Sequence, residues 1–410
     1  LNIQKLLQSE IQDFIATNLE NDTDRLLLNS SKFPAIPMRE VVTQIRIRQK
    51  ATSKFPTWIS TKNLIFPSNL SYQQASSEQT AQFKSKLVSG KNFVDLTGGF
   101  GVDTYFFSKQ FQNGFYVEQQ SDLAEIVRHN YKVLGVSNVK ICPQNLTNFL
   151  AKVSVNFSQN QLPFDLIYLD PARQDAINRK VVYLSDCTPN LLEILPQLLK
   201  YGKQILLKTS PLLDISQAVK ELGFVQKVWV VAVKNECKEL LFLLQKNQGE
   251  NQSRTSPEDL PICAVNLEND HQQIFDFQQL DEKNSSFTLG LPEKFLFRPN
   301  SAILKSGGFK SIGKKFGLKK LHSNSHLYTA SEIHPNFMGK TYRILEVCKF
   351  SKKEILKHLP NKKANIATVN FPMTPAQIYQ KLKIKHGGNR YLFGTTNLKN
   401  QKIILITERI

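Results

Sequence analysis

Between residues 84 and 248 the hydrophobic positions fall in short β-branched and aromatic runs, separated by stretches of helical spacing. The runs are NFVD, ending at Asp95; GFYVE, ending at Glu118; NVKICPQN, ending at Asn145 and Leu146; FDLIYLDPAR, ending at Asp170 to Arg173; and KQILLKTSP, ending at Lys208 to Pro211. Strands that alternate with helices predict a parallel sheet. Ligands of such a sheet bind beyond the carboxyl ends of its strands, and the polar residues of this segment gather at those ends. An amphipathic DISQAVKELGF, a strand KVWVVAVKN, a short connection NECKE and a strand KELLFLLQK follow, a pattern that predicts a terminal antiparallel hairpin.

The pattern changes on either side. Residues 1–83 read as a mostly helical region: IQKLLQSEIQDFIATNL and MREVVTQIRIRQKA place apolar residues near helical spacing. Pro56 and Pro67 break FPTWISTKNLIFPSNLSYQQ, which is expected as loop or short strand. SSEQTAQFKSKLV reads as a helix capped by Ser76 or Ser77. Residues 249–289 are expected to connect domains, with the polar GENQSRTSPEDLP (Gly249 to Pro261) as the linker. Two small units are expected beyond it, at 290–335 and 336–410. The second reads as α+β, with helices KKEILKHL and TPAQIYQKLKI set among strands KANIATVNF, RYLFGTT and KIILITER. Thr374-Pro375 supplies the cap and first-turn proline of the later helix.

Charge divides the chain along the same boundary. Of the formal net +19, the segment Gly290 to Ile410 carries 23 Lys and Arg against 5 Asp and Glu, while Leu1 to Leu289 carries 30 against 29. A near-neutral body joined to a basic appendage suits a polyanionic partner, nucleic acid above all. The other reading of that charge is a lysine-rich surface that serves solubility.

No run approaches the ~18 apolar residues of a membrane span, and nothing at the start reads as a signal peptide. Cys142, Cys187, Cys237, Cys263 and Cys348 form no CxxC pair, which predicts neither a disulfide framework nor a zinc site and fits a reducing cytoplasm. His322 and His326 stand four apart with no third ligand in view, so no metal is expected.

The densest chemistry lies in VDLTGGFGVD, Val94 to Asp103. A strand closes on acidic Asp95 and opens into a glycine-rich turn, where glycine lets the backbone approach a ligand and adopt positive φ. Glu118, closing the second strand, is placed to accept both hydroxyls of a ribose. Gly98, Gly99 and Gly101 do not fit the GxGxxG spacing of dinucleotide enzymes, and no Walker loop is present.

These residues resemble the motifs of class I S-adenosylmethionine-dependent methyltransferases. The resemblance implies a seven-stranded Rossmann-like sheet over 84–248, with S-adenosylmethionine as cofactor. Thr97, Gly98, Gly99 and Gly101 would pack against the methionine end, Glu118 would hold the ribose, Asn145 and Leu146 would face the adenine, and Asp95 and Asp103 would complete the cofactor-binding set. Asn145 stands where many members have Asp. Asp170-Pro171-Ala172-Arg173 is a variant of the [DN]PP catalytic motif; Asp170 would hold an acceptor amine, and Arg173 would contact a phosphate or neutralise a buried carboxylate. Arg173 replaces the aromatic residue expected there, which leaves amine chemistry unsecured. Pyrimidine carbon methylation needs a cysteine nucleophile, and Cys187 and Cys237 read better as buried small side chains.

FRPNSAILKSGGFK, KLHSNSHLYTAS and ANIATVNFPMTPAQIYQKLKIKHGGNRYLF resemble a bacterial family of class I methyltransferases with a ferredoxin-like insert and a C-terminal THUMP-like domain. That resemblance, covering most of the chain from about Pro37, implies structured RNA, tRNA or rRNA, as substrate, with methylation at a base nitrogen. Lys208, Arg298 and Arg390 are the candidate substrate contacts. The rival readings are a protein or small-molecule methyltransferase, and a non-catalytic RNA-binding protein that retains the cofactor fold.

Overall fold

The computed structural model describes residues 2–156, 163–173, 183–245, 256, 258, 260–269 and 271–410. Two compact units divide the chain: Leu1–Asp214 with Leu241–Arg254, and Ile215–Leu240 with Thr255–Ile410.

One sheet is built from nine strands: β1 (Gly90–Asp95), β2 (Phe111–Glu118), β3 (Val139–Pro143), β4 (Phe164–Leu169), β5 (Gly202–Thr209), β6 (Val225–Val233), β7 (Glu236–Leu244), β8 (Pro261–Leu267) and β9 (Gln272–Gln278). Their order is β9-β8-β6-β7-β5-β4-β1-β2-β3. Pairings β2–β3, β1–β2, β1–β4 and β4–β5 are all parallel. Sequence order reverses between β1 and β4, and at such a switch point the loops diverge and leave a crevice for a ligand. Helices cross over between these strands, at Val102–Phe107, Ser121–Val133, Leu146–Asn156 and Leu191–Tyr201.

The first unit buries its N-terminal helices in a core shared with the start of the sheet. Helix Met38–Ala51 places Met38, Val41, Val42 and Ile45 inward at helical spacing. Val41, Ile45, Phe55 and Trp58 join one cluster with Phe100, Val102 and Tyr105, which follow β1. The proline-broken stretch differs from its expected loop: it contains helices Pro56–Ser60 and Asn69–Gln74. Pro56 stands in the first turn, where its missing N–H costs nothing, and the Glu78 carboxylate accepts the N–H groups of Thr57 and Trp58.

Two further expectations are corrected. NECKE is mostly strand; β6 and β7 are joined by Lys234 and Asn235 alone, both at positive φ (49° and 64°), as a two-residue hairpin of the primed type requires. The connecting segment 249–289 includes β8, β9 and helix Gln279–Asn284. Its sequences PICAVNL and QQIFDFQ are strand-forming, and β9 alternates buried Phe275 and Phe277 with exposed neighbours. Most of the linker Gly249 to Pro261 lies outside the described residues.

The second sheet contains β10 (Phe295–Pro299), β11 (Lys319–Lys320), β12 (Tyr328–Ala330), β13 (Gly339–Cys348), β14 (Lys363–Val369), β15 (Lys385–Thr396) and β16 (Lys402–Arg409), in the order β11-β12-β10-β13-β16-β15-β14. Helices Lys352–Lys357 and Pro375–Leu382 cover one face: Ile355, Ile378 and Leu382 pack with Ala364, Leu392, Ile404 and Ile406. Thr374 and Gln377 form a reciprocal capping box on the later helix. No helix among the described residues is long and apolar enough to cross a membrane.

Candidate active site

The glycine loop after β1 is held from several sides. Asp95 is buried at the strand end; its carboxylate accepts the Thr97 N–H at 3.0 Å and the Thr104 hydroxyl at 2.6 Å. Burial pushes the Asp95 carboxyl up to about 7, against the pull of those two bonds, with the charges of Asp103 and Asp170 pushing it higher. The Tyr116 hydroxyl donates to the Gly99 carbonyl at 2.6 Å, and the Tyr131 hydroxyl to the Gly101 carbonyl at 2.7 Å. Burial raises both phenols well above their ordinary range, so they stay protonated and keep donating.

The loop's glycines have separate reasons. A Cβ on Gly98 would fall 2.2 Å from the Tyr116 ring. Gly101, at φ +78°, precedes helix Val102–Phe107, and a Cβ there would meet the Tyr131 oxygen at 2.7 Å. Gly99, at φ +53°, has only the Thr97 carbonyl near its absent Cβ, at 3.7 Å, so the space beside it is open. Glu118 at the end of β2 accepts the Gly99 N–H at 3.0 Å and the Gln120 N–H at 2.8 Å. A carboxylate has about four lone-pair sites, so both oxygens retain capacity for ribose hydroxyls. The open face at Gly99 and this carboxylate fit the methionine and ribose ends of S-adenosylmethionine.

Asp103 departs from a ligand-facing role. It is buried, ion-paired to Lys84 at 2.9 Å, and accepts the hydroxyls of Ser76 (2.7 Å) and Tyr168 (2.9 Å). Burial disfavours its charge, but Lys84 and Lys208 outweigh that and hold the carboxyl below its usual value. Lys84, fully buried on helix Glu78–Ser85, also donates to Ser76 at 2.8 Å. Ser77 is the helix cap, accepting the Thr80 N–H. Ser76 therefore serves Asp103 and Ser77 the helix. Sequence reasoning missed Lys84 and its link to Asp103; the only signal was a lysine on the apolar side of a short helix.

Asp170 follows β4, and its N–H donates to the Thr97 hydroxyl at 2.7 Å, tying the fourth motif to the glycine loop. Its half-exposed carboxylate pairs with Lys208 at the end of β5. Among the described residues nothing else engages that carboxylate. Pro171 is buried, and Ala172 and Arg173 pair with Thr188 and Cys187 in a short antiparallel ladder. The Arg173 side chain lies outside the described residues. Asn145, exposed, caps helix Leu146–Asn156 by accepting the Asn148 N–H at 2.8 Å, and Leu146 is buried. Asp95, Thr97, Glu118, Asp170 and Lys208 thus gather at one end of the parallel strands. Arg298 and Arg390 lie in the second sheet, where Arg390 pairs with Glu408 at 2.8 Å.

A mostly parallel sheet ordered β6-β7-β5-β4-β1-β2-β3, ending in the antiparallel β6–β7 hairpin, with a glycine loop after β1 and an acidic residue closing β2, defines the class I methyltransferase fold. Comparison with solved structures agrees. The crystal structure named "putative methyltransferase from Porphyromonas gingivalis W83" matches at 32% identity and TM-score 0.86, over 99% of this chain and 98% of that one. Family models match a ferredoxin-like domain at residues 295–337 and a THUMP-like domain at 339–409. The chain belongs to this family of class I methyltransferases with ferredoxin-like and THUMP-like domains. An rRNA methylase from Streptococcus thermophilus (14% identity, TM-score 0.29, 41% of this chain and 95% of that one) is also similar. So is a Streptococcus mutans protein solved with S-adenosylhomocysteine and named a "putative methyltransferase" (14%, 0.29, 41% and 96%). No curated protein matches the chain. The two matched regions build one sheet, since β10 of the first pairs with β13 of the second.

Proposed function

We propose that the chain is an S-adenosylmethionine-dependent methyltransferase of structured RNA, tRNA or rRNA, acting at a base nitrogen. The observation that carries this reading is the convergence of the Gly99 cradle and the Asp170–Lys208 pair, joined through Thr97. S-adenosylmethionine, when bound, supplies a methyl group on a sulfonium. Gly99 and Glu118 would hold it, with Asn145 and Leu146 toward the adenine. Thr97 fixes the backbone of Asp170 beside the loop. Lys208 keeps one carboxylate oxygen of Asp170 occupied. The other oxygen accepts a hydrogen of the acceptor amine, turning the nitrogen lone pair toward the methyl group and taking up the proton as the bond forms. Pro171 restricts the backbone beside Asp170.

RNA as the acceptor is supported by the basic segment from Gly290 and by the THUMP-like match at 339–409. Transfer of radiolabelled methyl groups to total small RNA, rRNA and protein extract, by wild type and Asp170→Ala, tests the proposal. Label in RNA with wild type alone is expected, with cofactor affinity retained by the variant. Label in protein only would replace RNA with a protein substrate. Donor binding without label in any acceptor would favour a binding protein.

A further inference from the structure

Three carboxylates and two lysines gather around the start of the glycine loop. Asp103 is answered by Lys84, and Asp170 by Lys208. Asp95 is answered by neither, and among the described residues no basic side chain pairs with it. The strongest charges that reach it, those of Asp103 and Asp170, are negative. Register sets Asp95 between Tyr116 on β2 and Tyr168 on β4, and the Tyr131 phenol also faces it. The Tyr116 and Tyr131 phenols stay protonated and offer no charge. Glu118, beyond Gly99, is engaged by the Gly99 and Gln120 N–H groups.

The surroundings of Asp95 suit either protonation state. One oxygen takes the Thr97 N–H, a fixed donor; the other meets the Thr104 hydroxyl, which donates to a carboxylate or, turned about, accepts from a carboxyl. Burial raises this group to about 7, the bonds from Thr104 and Thr97 oppose the rise, and Asp103 and Asp170 add to it. A cation brought close would favour the ionised form. Asp95 is 1% exposed with both oxygens engaged, so it has no good hydrogen bond to give an ammonium. A sulfonium has no N–H to place and needs only the field of a nearby anion. In the proposed reaction the sulfur stands toward Asp170, which holds the acceptor, and Thr97 is bonded to both aspartates.

Resting on the proposed S-adenosylmethionine donor, we propose that Asp95 is the counter-charge of the sulfonium and makes the site prefer the charged donor to the neutral sulfide left after transfer. Asp95 gives up its proton as the donor binds, and donor affinity rises with pH until the carboxyl is ionised without help. S-adenosylhomocysteine brings no charge at sulfur and leaves the proton in place. Lys84 and Lys208 stay committed to Asp103 and Asp170.

The test is titration calorimetry of the full chain with S-adenosylmethionine and with S-adenosylhomocysteine, at pH 6 in buffers of different ionisation enthalpy, which counts released protons. At that pH the α-amino group of either ligand is still charged, since it ordinarily titrates near ~7.7 to 8.0. For a cation that makes ionisation about tenfold easier, the donor should release roughly half a proton and the sulfide close to none. The ratio of the two affinities should then rise about fivefold from pH 5 to pH 7. Asp95→Asn should abolish both effects, with thermal melts confirming that it folds. Should it not fold, the difference between the two ligands on wild type is the test. Equal release by both ligands would make their shared ammonium the counter-charge and overturn the proposal. Release that survives Asp95→Asn would overturn the assignment to Asp95. Donor binding without release would overturn the counter-charge and leave the methyltransferase reading standing. No binding of either ligand would remove the donor reading, and this inference with it.

Discussion

Replacing Lys84 with Met strands the Asp103 carboxylate. Lys84 is fully buried and Asp103 nearly so, and the ammonium lies 2.9 Å from the carboxylate. Met matches the length of the lysine stem but removes the charge and its donation to Ser76. Taking one partner from a buried ion pair costs about 3 to 5 kcal/mol, because the remaining charge loses its compensation. For a unit of this size ~1 kcal/mol moves Tm by about 2 to 4 °C, so the variant should melt about 6 to 20 °C lower at pH 7. The sign of the pH dependence follows from Asp103. In the wild type its folded pKa is lowered, so its stabilising contribution is present above the unfolded carboxylate range and is lost as pH falls through the folded value. In the variant burial dominates and the folded pKa rises. Protonation then relieves the stranded charge, and the deficit against wild type should narrow as pH drops from 7 toward 5. Calorimetry of both proteins across that range is the assay. A deficit under ~1 kcal/mol at pH 7, or one constant with pH, would refute the claim that Lys84 compensates a buried ionised carboxylate.

Four further outcomes are expected. Gly101→Ala, placed at φ +78° with its Cβ against Tyr131 and Val127, should cost about 2 kcal/mol or more in chemical denaturation. Gly99→Ala meets nothing but the Thr97 carbonyl, so it should cost about 1 kcal/mol of stability yet weaken S-adenosylhomocysteine binding at least tenfold by calorimetry. Asp95 has a folded pKa raised to about 7, so its stabilising contribution is full below the unfolded range near 4 and declines as pH rises toward 7. Asp95→Asn should flatten that part of the Tm-versus-pH curve; an unchanged slope would contradict the assignment. Lys208→Met should lower the rate of methyl transfer about tenfold or more while leaving donor affinity within twofold, read by single-turnover label transfer and calorimetry.

The parallel sheet was legible because β1, β2, β4 and β5 are apolar runs closed by polar residues, and a buried parallel strand has few other ways to appear. The glycine loop was legible for a similar reason: Gly98 and Gly101 are demanded by contacts with Tyr116 and Tyr131 that leave no room for a Cβ. Other features were hidden because their partners are remote in sequence. Lys84 reads as a surface lysine until Asp103 is brought to it, and nothing near Glu78 in the sequence marks its carboxylate as the acceptor for Thr57 and Trp58. Polar flanks made 249–289 look like a connector, although β8 and β9 extend the sheet within it. Pro56 looked like a breaker and instead starts a helix. At the site, Asp170 was read from its strand end, but Thr97 as its backbone tether was not, since that bond spans 73 residues.

The two tyrosine hydroxyls that grip the Gly99 and Gly101 carbonyls give the loop a history. Its glycines have the greatest conformational freedom in the chain, and here they surrender it when the sheet folds. Under the proposed function, a donor molecule would arrive at a mould that has already set. Its entry need not wait for the loop to find its shape, and little ordering entropy is left to subtract from its affinity. Phenylalanine at either tyrosine would keep the ring and release the grip, moving that ordering from folding to binding.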